Sequence, residues 1–368
     1  MISLDPRHRP CRPSQADDHG PADEPHGRLR RLLAALALAL AAVAATAHAQ
    51  AAYKAPRNAF GQPDFEGVWT NASLTSLERG PQFKTLSITD AQARQVEQMR
   101  AKMMDAQSRP TDPNAPAPKA GQDPGGYNAF WIDAGSRMGR IRGEVRTSWL
   151  IDPADGKLPY RPEGWKLYQE ALNRARNTFD GPEARPLGER CILGFGSTAG
   201  PPMLNVLYNN HYQVQQAKDH VVIVVEMNHD ARIIRLADKR RPPASMRTWM
   251  GDSVGWWEGD TLVVETVGFH PDESLRPYFG ASLFLSPEAK VTERFTRIAK
   301  DQILYAFEVD DPKVYSRTWK AEMALNAARG PVYEYACHEG NYSLPGILAG
   351  ARKAESEGRK PDTVDLTE

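Results

Sequence analysis

From Met203 to Tyr335 the sequence is a series of short apolar segments separated by turns rich in Gly, Asp and Asn. Such segments, spaced by roughly 8–15 residues, predict antiparallel strands in a meander. An open sheet leaves exposed edges, whereas closure into a barrel removes them. We therefore predict a mainly β fold, an antiparallel meander that closes into a barrel within residues 146–345, with a few N-terminal helices.

Residues 1–49 are typical of an N-terminal extension followed by a secretory signal peptide. Basic residues precede the apolar run 32–45, and Ala47-His48-Ala49 has the small-x-small pattern of a cleavage site. The run of about 14 residues is shorter than the roughly 20 that a membrane helix needs. We expect cleavage before Gln50, no membrane span afterwards and a periplasmic or secreted protein. An uncleaved N-terminal anchor is the alternative.

Two helices and a linker are predicted before the strands. Thr89 and Gln92 form a possible capping box ahead of good helix formers at 91–104. Prolines and glycines mark 108–126 as a linker, and Pro162 suits a first helical turn. A hairpin turning at Asp155-Gly156 is expected between these elements. The predicted parts are the extension and signal peptide 1–49, an N-terminal region 50–145, the barrel domain 146–345 and a C-terminal tail 346–368.

The charge balance excludes some partners and cofactors. The chain has 46 basic and 46 acidic residues, and removal of residues 1–49 leaves them nearly balanced, without a basic block. This argues against nucleic acid or an anionic membrane as a partner. Nucleotide fingerprints and P-loops are absent from the sequence, so we expect no nucleotide cofactor. The expected partner is a small-molecule ligand or substrate, and the oligomeric state is left open.

Three cysteines are present, and Cys11 lies in the segment that export would remove. Cys191 and Cys337 are then left as a pair, which in an exported protein favours a disulfide. Two buried free thiols are the alternative.

Carboxylates at the ends of apolar strands are the first candidates for chemistry. Glu226 follows an apolar run, where burial raises the pKa of a carboxyl unless a cation lies opposite. Glu265 and Glu293 repeat this pattern. A raised pKa is how proteins make general acids. The alternative is that these carboxylates form structural ion pairs with arginines on neighbouring strands.

Histidines close to Glu226 extend this candidate site. A meander makes His211 and His229 neighbours of Glu226, so the three could act as an acid–base set with Arg232 as charge stabiliser. The same His211, Glu226 and His229 could ligate a metal. The fixed short spacing of strong metal motifs is missing, so we expect no metal.

Gly251-Asp252-Ser253-Val254-Gly255 matches the G-x-S-x-G pattern of serine hydrolases. A hairpin sequence follows instead of the required helix, so Asp252 and Ser253 are expected to fix a turn. Aromatic residues around this loop could form the wall of a ligand pocket. The predicted ligand-binding residues are Tyr208, Tyr212, Trp249, Asp252, Ser253, Trp257 and Glu293.

Several runs resemble a large group of exported bacterial proteins that share the signature W-x-G-D-S-x-G-x-W-E-G-D-T-L-V-V. They include Trp249-Met250-Gly251-Asp252-Ser253, Trp257-Glu258-Gly259-Asp260-Thr261-Leu262-Val263-Val264 and Tyr335-Ala336-Cys337-His338-Glu339-Gly340-Asn341-Tyr342. The resemblance covers most of the chain after the signal. It implies export and a lipocalin-like β-rich fold, and it brings no catalytic assignment.

These patterns predict an exported barrel that binds a small amphipathic or aromatic molecule and converts it by cofactor-independent acid–base chemistry of lyase, isomerase or hydrolase type. A non-catalytic binding barrel is the second hypothesis and an envelope interaction protein the third. A hydrolase using Ser253 is the weakest. A binder needs only a pocket with satisfied polar groups, whereas an enzyme needs an acid–base pair at one ligand atom.

Overall fold

The computed structural model describes residues 53–109, 114, 116, 132–196, 198 and 200–359. The predicted signal peptide, most of the predicted linker and the end of the predicted tail lie outside the described residues.

Nine strands close into a barrel, which confirms the predicted fold class. Their order around the barrel is β1-β6-β7-β8-β9-β10-β13-β14-β15, and β15 pairs back with β1. The described residues form fifteen strands: β1 Gly67–Thr70, β2 Ser87–Ile88, β3 Arg140–Ile141, β4 Glu144–Arg146, β5 Leu150–Asp152, β6 His211–Gln216, β7 His220–Val225, β8 Ala231–Arg235, β9 Asp252–Glu258, β10 Thr261–Val267, β11 Leu275–Tyr278, β12 Ala281–Phe284, β13 Lys290–Ala299, β14 Gln302–Asp310 and β15 Trp319–Ala327.

One strand pair departs from the predicted antiparallel meander. β8 and β9 are parallel, with Ile234 opposite Ser253. A parallel pair cannot be joined by a tight hairpin, so the long segment 236–251 crosses between them. Arg241 on this crossover binds Asp252 at 2.9 Å and Glu265 at 2.8 Å. These ion pairs hold the crossover against the barrel.

The predicted boundaries differ from the structure at both ends of the barrel. β1 precedes the range 146–345 and yet completes the closed sheet through β6 and β15. β5 pairs with β15 instead of forming the predicted hairpin at Asp155-Gly156. The turn itself forms, but the chain after it makes only an isolated bridge between Tyr160 and Tyr315. The predicted series of strands runs to Tyr335, but the last strand ends at Ala327 and the segment 332–337 contains none.

Three α-helices lie in the described part of the chain: α1 Asp90–Gln107, α2 Pro162–Asn177 and α3 Ser343–Ser356. The capping box of Thr89 and Gln92 forms at the start of α1, as predicted. α2 begins with Pro162 and lies close to the connection between β14 and β15, since a Cβ at Gly164 would lie 2.1 Å from the Val314 carbonyl oxygen. No helix among the described residues is long and apolar enough to cross a membrane.

Side chains fill the interior of the barrel. Along β14 buried and partly exposed residues alternate, so one face points inward. The space left inside is a cavity of about 10 Å³, which is too small for an organic ligand. Its lining residues are Phe65, Met203, Tyr212, Val214, Val221, Ile223, Leu262, Phe295, Ile303 and Leu325. The barrel is therefore a packed core.

The predicted disulfide between Cys191 and Cys337 is present in the structure and closes a sequence separation of 146 residues. It attaches the segment after β15 to the segment before β6. This bond is the covalent link between two regions that have little regular structure of their own.

Replacing Cys191 and Cys337 by serine should lower the free energy of unfolding by about 2–5 kcal/mol, because the unfolded chain regains the freedom of a long loop. Urea unfolding of the variant and the parent, both in a Cys11→Ser background, measures the difference. In that background, intact mass should show two protons fewer than the fully reduced chain. Two thiols that react with iodoacetamide before reduction would contradict the bond.

A candidate site in a cleft outside the barrel wall

A cleft of about 600 Å³ lies outside the barrel, a volume typical of small-molecule sites. Three parts of the chain form it: the C-terminal half of α2, the segment 183–196, and the segment 271–282 between β10 and β13. The third part contains the β11–β12 hairpin, which packs against α2. None of these elements belongs to the barrel sheet.

Specific contacts hold segment 183–196, the second part of the cleft wall, in place. Arg185 is buried and binds both carboxylate oxygens of Glu189, at 2.8 and 3.0 Å. It also donates to the Thr178 carbonyl at 2.9 Å. Further along, a Cβ at Gly196 would lie 2.8 Å from the Pro277 carbonyl oxygen. A glycine is required there, because any side chain would push the wall away from the hairpin.

Glu273 is the most unusual group of the cleft. Only 7 % of the residue is exposed, and its carboxyl group has no hydrogen bond within the described chain. Burial raises the pKa of Glu273 to about 8, and the charge of Asp230 acts in the same direction, while that of Arg276 opposes it. At neutral pH the carboxyl is therefore mostly protonated and can donate a hydrogen bond.

Arg276 lies on β11, close to Glu273 in the preceding turn, and is fully buried. Its Nη1 donates to the Gly200 carbonyl at 2.8 Å, and its guanidinium lies 4.7 Å from the ring of Phe269. Burial lowers the pKa of Arg276, with the charge of Glu273 acting against this. Arg276 ties the hairpin to the loop before β6.

Asp230 is the second carboxyl group with a raised pKa in this region. Burial raises the pKa of Asp230 to about 6, against smaller opposing effects of His229 and of hydrogen bonds from Asn228 and the Gly194 backbone. Gly194 lines the cleft, so Asp230 lies directly behind its wall. Asn228 and His229 both have positive φ, at 62° and 46°, and form the turn that presents Asp230. Such backbone strain clusters at functional sites.

The structure brings two of the predicted catalytic residues together. Nδ1 of His211 lies 2.9 Å from a carboxylate oxygen of Glu226, which is 2 % exposed. The other oxygen accepts from the Tyr333 backbone at 3.0 Å. Burial acts to raise the pKa of Glu226, but the bonds from His211 and Tyr333 outweigh it and lower the pKa. The hydrogen bond to Glu226 in turn raises the pKa of His211.

The structure does not bring all the predicted catalytic residues together. His229 is exposed on its turn. Neither Glu226 nor His211 is among the residues that line the cleft. The pair instead joins the end of β7 to the segment that follows β15. Because Glu226 is paired, its pKa is lowered, which is the opposite of the expectation for a general acid.

Arg232 belongs to a separate network inside the barrel. It makes a bidentate ion pair with Glu293, with Nη1 2.9 Å from Oε1. Its Nε donates to Ser253 Oγ at 3.1 Å and its Nη2 to Thr266 Oγ1 at 3.0 Å. The Tyr305 hydroxyl donates to Glu293 at 2.7 Å. The geometry shows a structural ion pair for Glu293, which is the alternative to the predicted ligand contact.

The loop with the serine-hydrolase pattern is also part of the scaffold. Ser253 is 3 % exposed, and its Oγ contacts Arg232 and, at 2.9 Å, Thr266. A nucleophilic serine needs a base within reach, and neither partner is one. Asp252 is bound by Arg235 at 2.7 Å and by Arg241. These residues brace the parallel strand pair.

The predicted aromatic wall is divided among different places. Tyr212 lines the small cavity inside the barrel, where its hydroxyl accepts from Asn71 at 3.1 Å. Trp257 packs against Phe65 on the barrel. Trp249 contacts the ring of His270, with ring centres 4.0 Å apart, and Tyr208 packs against the core. No member of this set lines the cleft.

Within the described residues, no group of three or more His, Cys, Asp or Glu side chains is arranged to hold a metal ion. Comparisons with protein-family models, curated proteins and solved structures found no match for this chain.

Sequence reasoning missed Glu273, Asp230 and Arg276. Asp230 and Glu273 lie in turns, where acidic residues are common for local reasons. Arg276 lies in the short strand Leu-Arg-Pro-Tyr, whose proline argues against a strand. A usable signal was the unusual length of the connection between β10 and β13, since long connections in compact domains are often functional.

Ser253→Ala should lower the free energy of unfolding by about 1–3 kcal/mol, because it removes a buried hydrogen bond to a charged guanidinium. Ser316→Ala, which removes an exposed bond to the Pro159 carbonyl, should have a much smaller effect. Thermal and urea unfolding measure both. A fluorophosphonate probe should leave the wild type unlabelled, and capture of Ser253 would establish a nucleophile there.

Glu273→Gln should flatten the pH dependence of stability. The folded-state pKa of about 8 lies above the ordinary value of 4.5. Between these values the folded protein binds the extra proton, so its stability falls as the pH rises, with a limiting slope of about 1.4 kcal/mol per unit. Urea unfolding at pH 5 and pH 8 should show that the free energy of unfolding of the variant rises relative to wild type at pH 8. An equal gain at both pH values, or a gain with the exposed Glu183→Gln, would contradict a buried protonated carboxyl.

Proposed function

We propose that the protein binds an amphipathic small molecule in the cleft between α2, segment 183–196 and the β11–β12 hairpin. The volume of about 600 Å³ suits a ligand of drug size or smaller. The apolar part of the wall includes Leu172, Phe195 and Leu275. Such a wall with a few convergent polar groups is the usual composition of a small-molecule site.

The buried carboxyl group of Glu273 is the observation that carries the proposal. Glu273 is 7 % exposed and lines the cleft, and none of the described side chains donates a hydrogen bond to its carboxyl group. In its protonated form it can donate a hydrogen bond to a ligand in the cleft. Titratable groups with such perturbed pKa values cluster in functional clefts.

Acid–base conversion of the ligand is the second candidate function. It is favoured by the pKa of about 8 for Glu273, which keeps a proton available in the cleft at neutral pH. A carboxyl group with a raised pKa is typical of a general acid. In this hypothesis Glu273 donates a proton to the bound molecule. The proton-transfer role predicted for Glu226 and His211 stays a prediction, and these two residues do not line the cleft.

We further propose that the protein works in an oxidising compartment such as the periplasm. The Cys191–Cys337 disulfide supports this, because such bonds persist mainly in exported proteins. The leader-like sequence at 1–49 and the resemblance to exported β-rich proteins point the same way. The lipocalin-like expectation is modified in one respect: the proposed ligand lies outside the barrel wall.

Ala175→Trp tests the binding site, because residue 175 lines the cleft on α2 and an indole there would occupy it. Binding of neutral probes such as 1-octanol and benzyl alcohol is measured by calorimetry and by ligand-observed NMR. We expect the variant to lose at least tenfold in affinity. Gln169→Trp on the same helix does not line the cleft and serves as the matched control.

Glu273→Leu should weaken 1-octanol binding about fivefold, since one hydrogen bond is worth about 1 kcal/mol. Glu273→Gln keeps a donor and should bind as the wild type does. A cooperative thermal transition and an unchanged circular-dichroism spectrum confirm the fold of each variant. Equal binding by wild type and Ala175→Trp would refute the site.

A further inference from the structure

Only one of the arginines that line the cleft has a carboxylate partner within the described part of the chain. Four arginines line it: Arg174, Arg176, Arg185 and Arg190. Arg185 is neutralised by its bidentate pair with Glu189. Within the described part of the chain, the other three have no carboxylate within salt-bridge distance. Positive charge is therefore available at the cleft, although the whole chain is balanced at 46 basic and 46 acidic residues.

The acidic side chains of the cleft compensate for this charge only in part. Glu183 and Asp272 line it and are exposed, as are Arg174 and Arg176. Asp272 also lies 3.8 Å from Nδ1 of His270. Glu273 is mostly protonated at neutral pH and acts as a donor, not as an anion. Guanidinium groups and a protonated carboxyl together offer hydrogen-bond donors to a ligand.

We infer that the ligand of this cleft is an amphipathic monoanion, a carboxylic acid with an aliphatic or aromatic body, whose carboxylate is held by the unpaired arginines at the rim. The inference rests on the proposed binding function and names its substrate class. Arginine suits this role because its planar fork of donors matches the two oxygens of a carboxylate. The apolar side chains Leu172, Phe195 and Leu275 would contact the body of the same molecule.

A single negative charge fits better than two. The cleft is lined by three arginines without a carboxylate partner in the described chain and by two carboxylates that bind no arginine, Glu183 and Asp272, so one added negative charge balances their formal charges. A dianion such as an alkyl phosphate would add charge near these two exposed carboxylates. Like charges at close range disfavour such a complex.

Three probes with one body and different head groups test the inference: octanoate, 1-octanol and octylammonium, all below their micelle concentrations. Calorimetry at low salt should show octanoate binding at least tenfold more tightly than 1-octanol, with octylammonium the weakest. Octyl phosphate near pH 8, where it is mainly a dianion, should bind less tightly than octanoate. Raising the ionic strength should weaken octanoate and leave 1-octanol unchanged, because salt screens exposed charges.

Arg190→Gln and Arg174→Gln should each lower octanoate affinity about five- to tenfold without changing 1-octanol affinity. Arg94→Gln, which removes the same charge from an exposed site on α1 without an ion pair, is the matched control and should change neither. If octanoate binds no more tightly than 1-octanol, or if Arg94→Gln has the same effect as Arg190→Gln, the inference is overturned while the binding cleft stands. If none of the three probes binds, the proposed binding function falls with it.

Discussion

The buried ion pair between Arg232 and Glu293 is the interaction on which the closed barrel depends. Together with Ser253, Thr266 and Tyr305 it connects five strands that are neighbours around the barrel, β8, β9, β10, β13 and β14. It therefore crosses the parallel junction of β8 and β9, where the backbone register covers only two residue pairs. A buried charge without a partner would be strongly destabilising, so each residue of this network specifies the position of the others. The network also fills interior volume that a ligand would need.

Because the core is full, the barrel serves as a support for elements outside it. The long connection between β10 and β13 leaves the sheet, forms the β11–β12 hairpin and returns. Arg276 attaches this hairpin to the loop before β6 through the Gly200 carbonyl, and Gly196 lets the opposite wall approach Pro277. The Cys191–Cys337 disulfide attaches that wall, segment 183–196, to the segment after β15. A packed barrel with a cleft on its side thus separates the residues of the proposed site from the core of the fold.

Much of the fold could be predicted from local pattern, and the site could not. The short apolar segments separated by turns, the Thr89–Gln92 capping box and the cysteine pair are each short-range or compositional signals, and the barrel, the cap and the disulfide that they predict are confirmed. Glu226 was singled out because it ends an apolar strand, yet its function depends on what lies opposite, and the structure places His211 and the Tyr333 backbone there. Strand periodicity does not tell which of several carboxylates meets a cation. The cleft depends on contacts between segments far apart in sequence, for which a single sequence holds no local sign.

Glu293 and Glu273 show how the scaffold and the candidate site can be separated on physical grounds. Both are glutamates, and both are almost entirely buried. Glu293 accepts hydrogen bonds from Arg232 and Tyr305, so its burial is compensated within the protein. Glu273 has no such partner within the described chain, and its burial raises its pKa to about 8. An apolar residue of similar size would avoid the free-energy cost of burying a carboxyl group. A compensated carboxylate such as Glu293 is explained by the fold alone, whereas Glu273, which has no partner in the fold and lines a cleft, is the group on which the proposed ligand site rests.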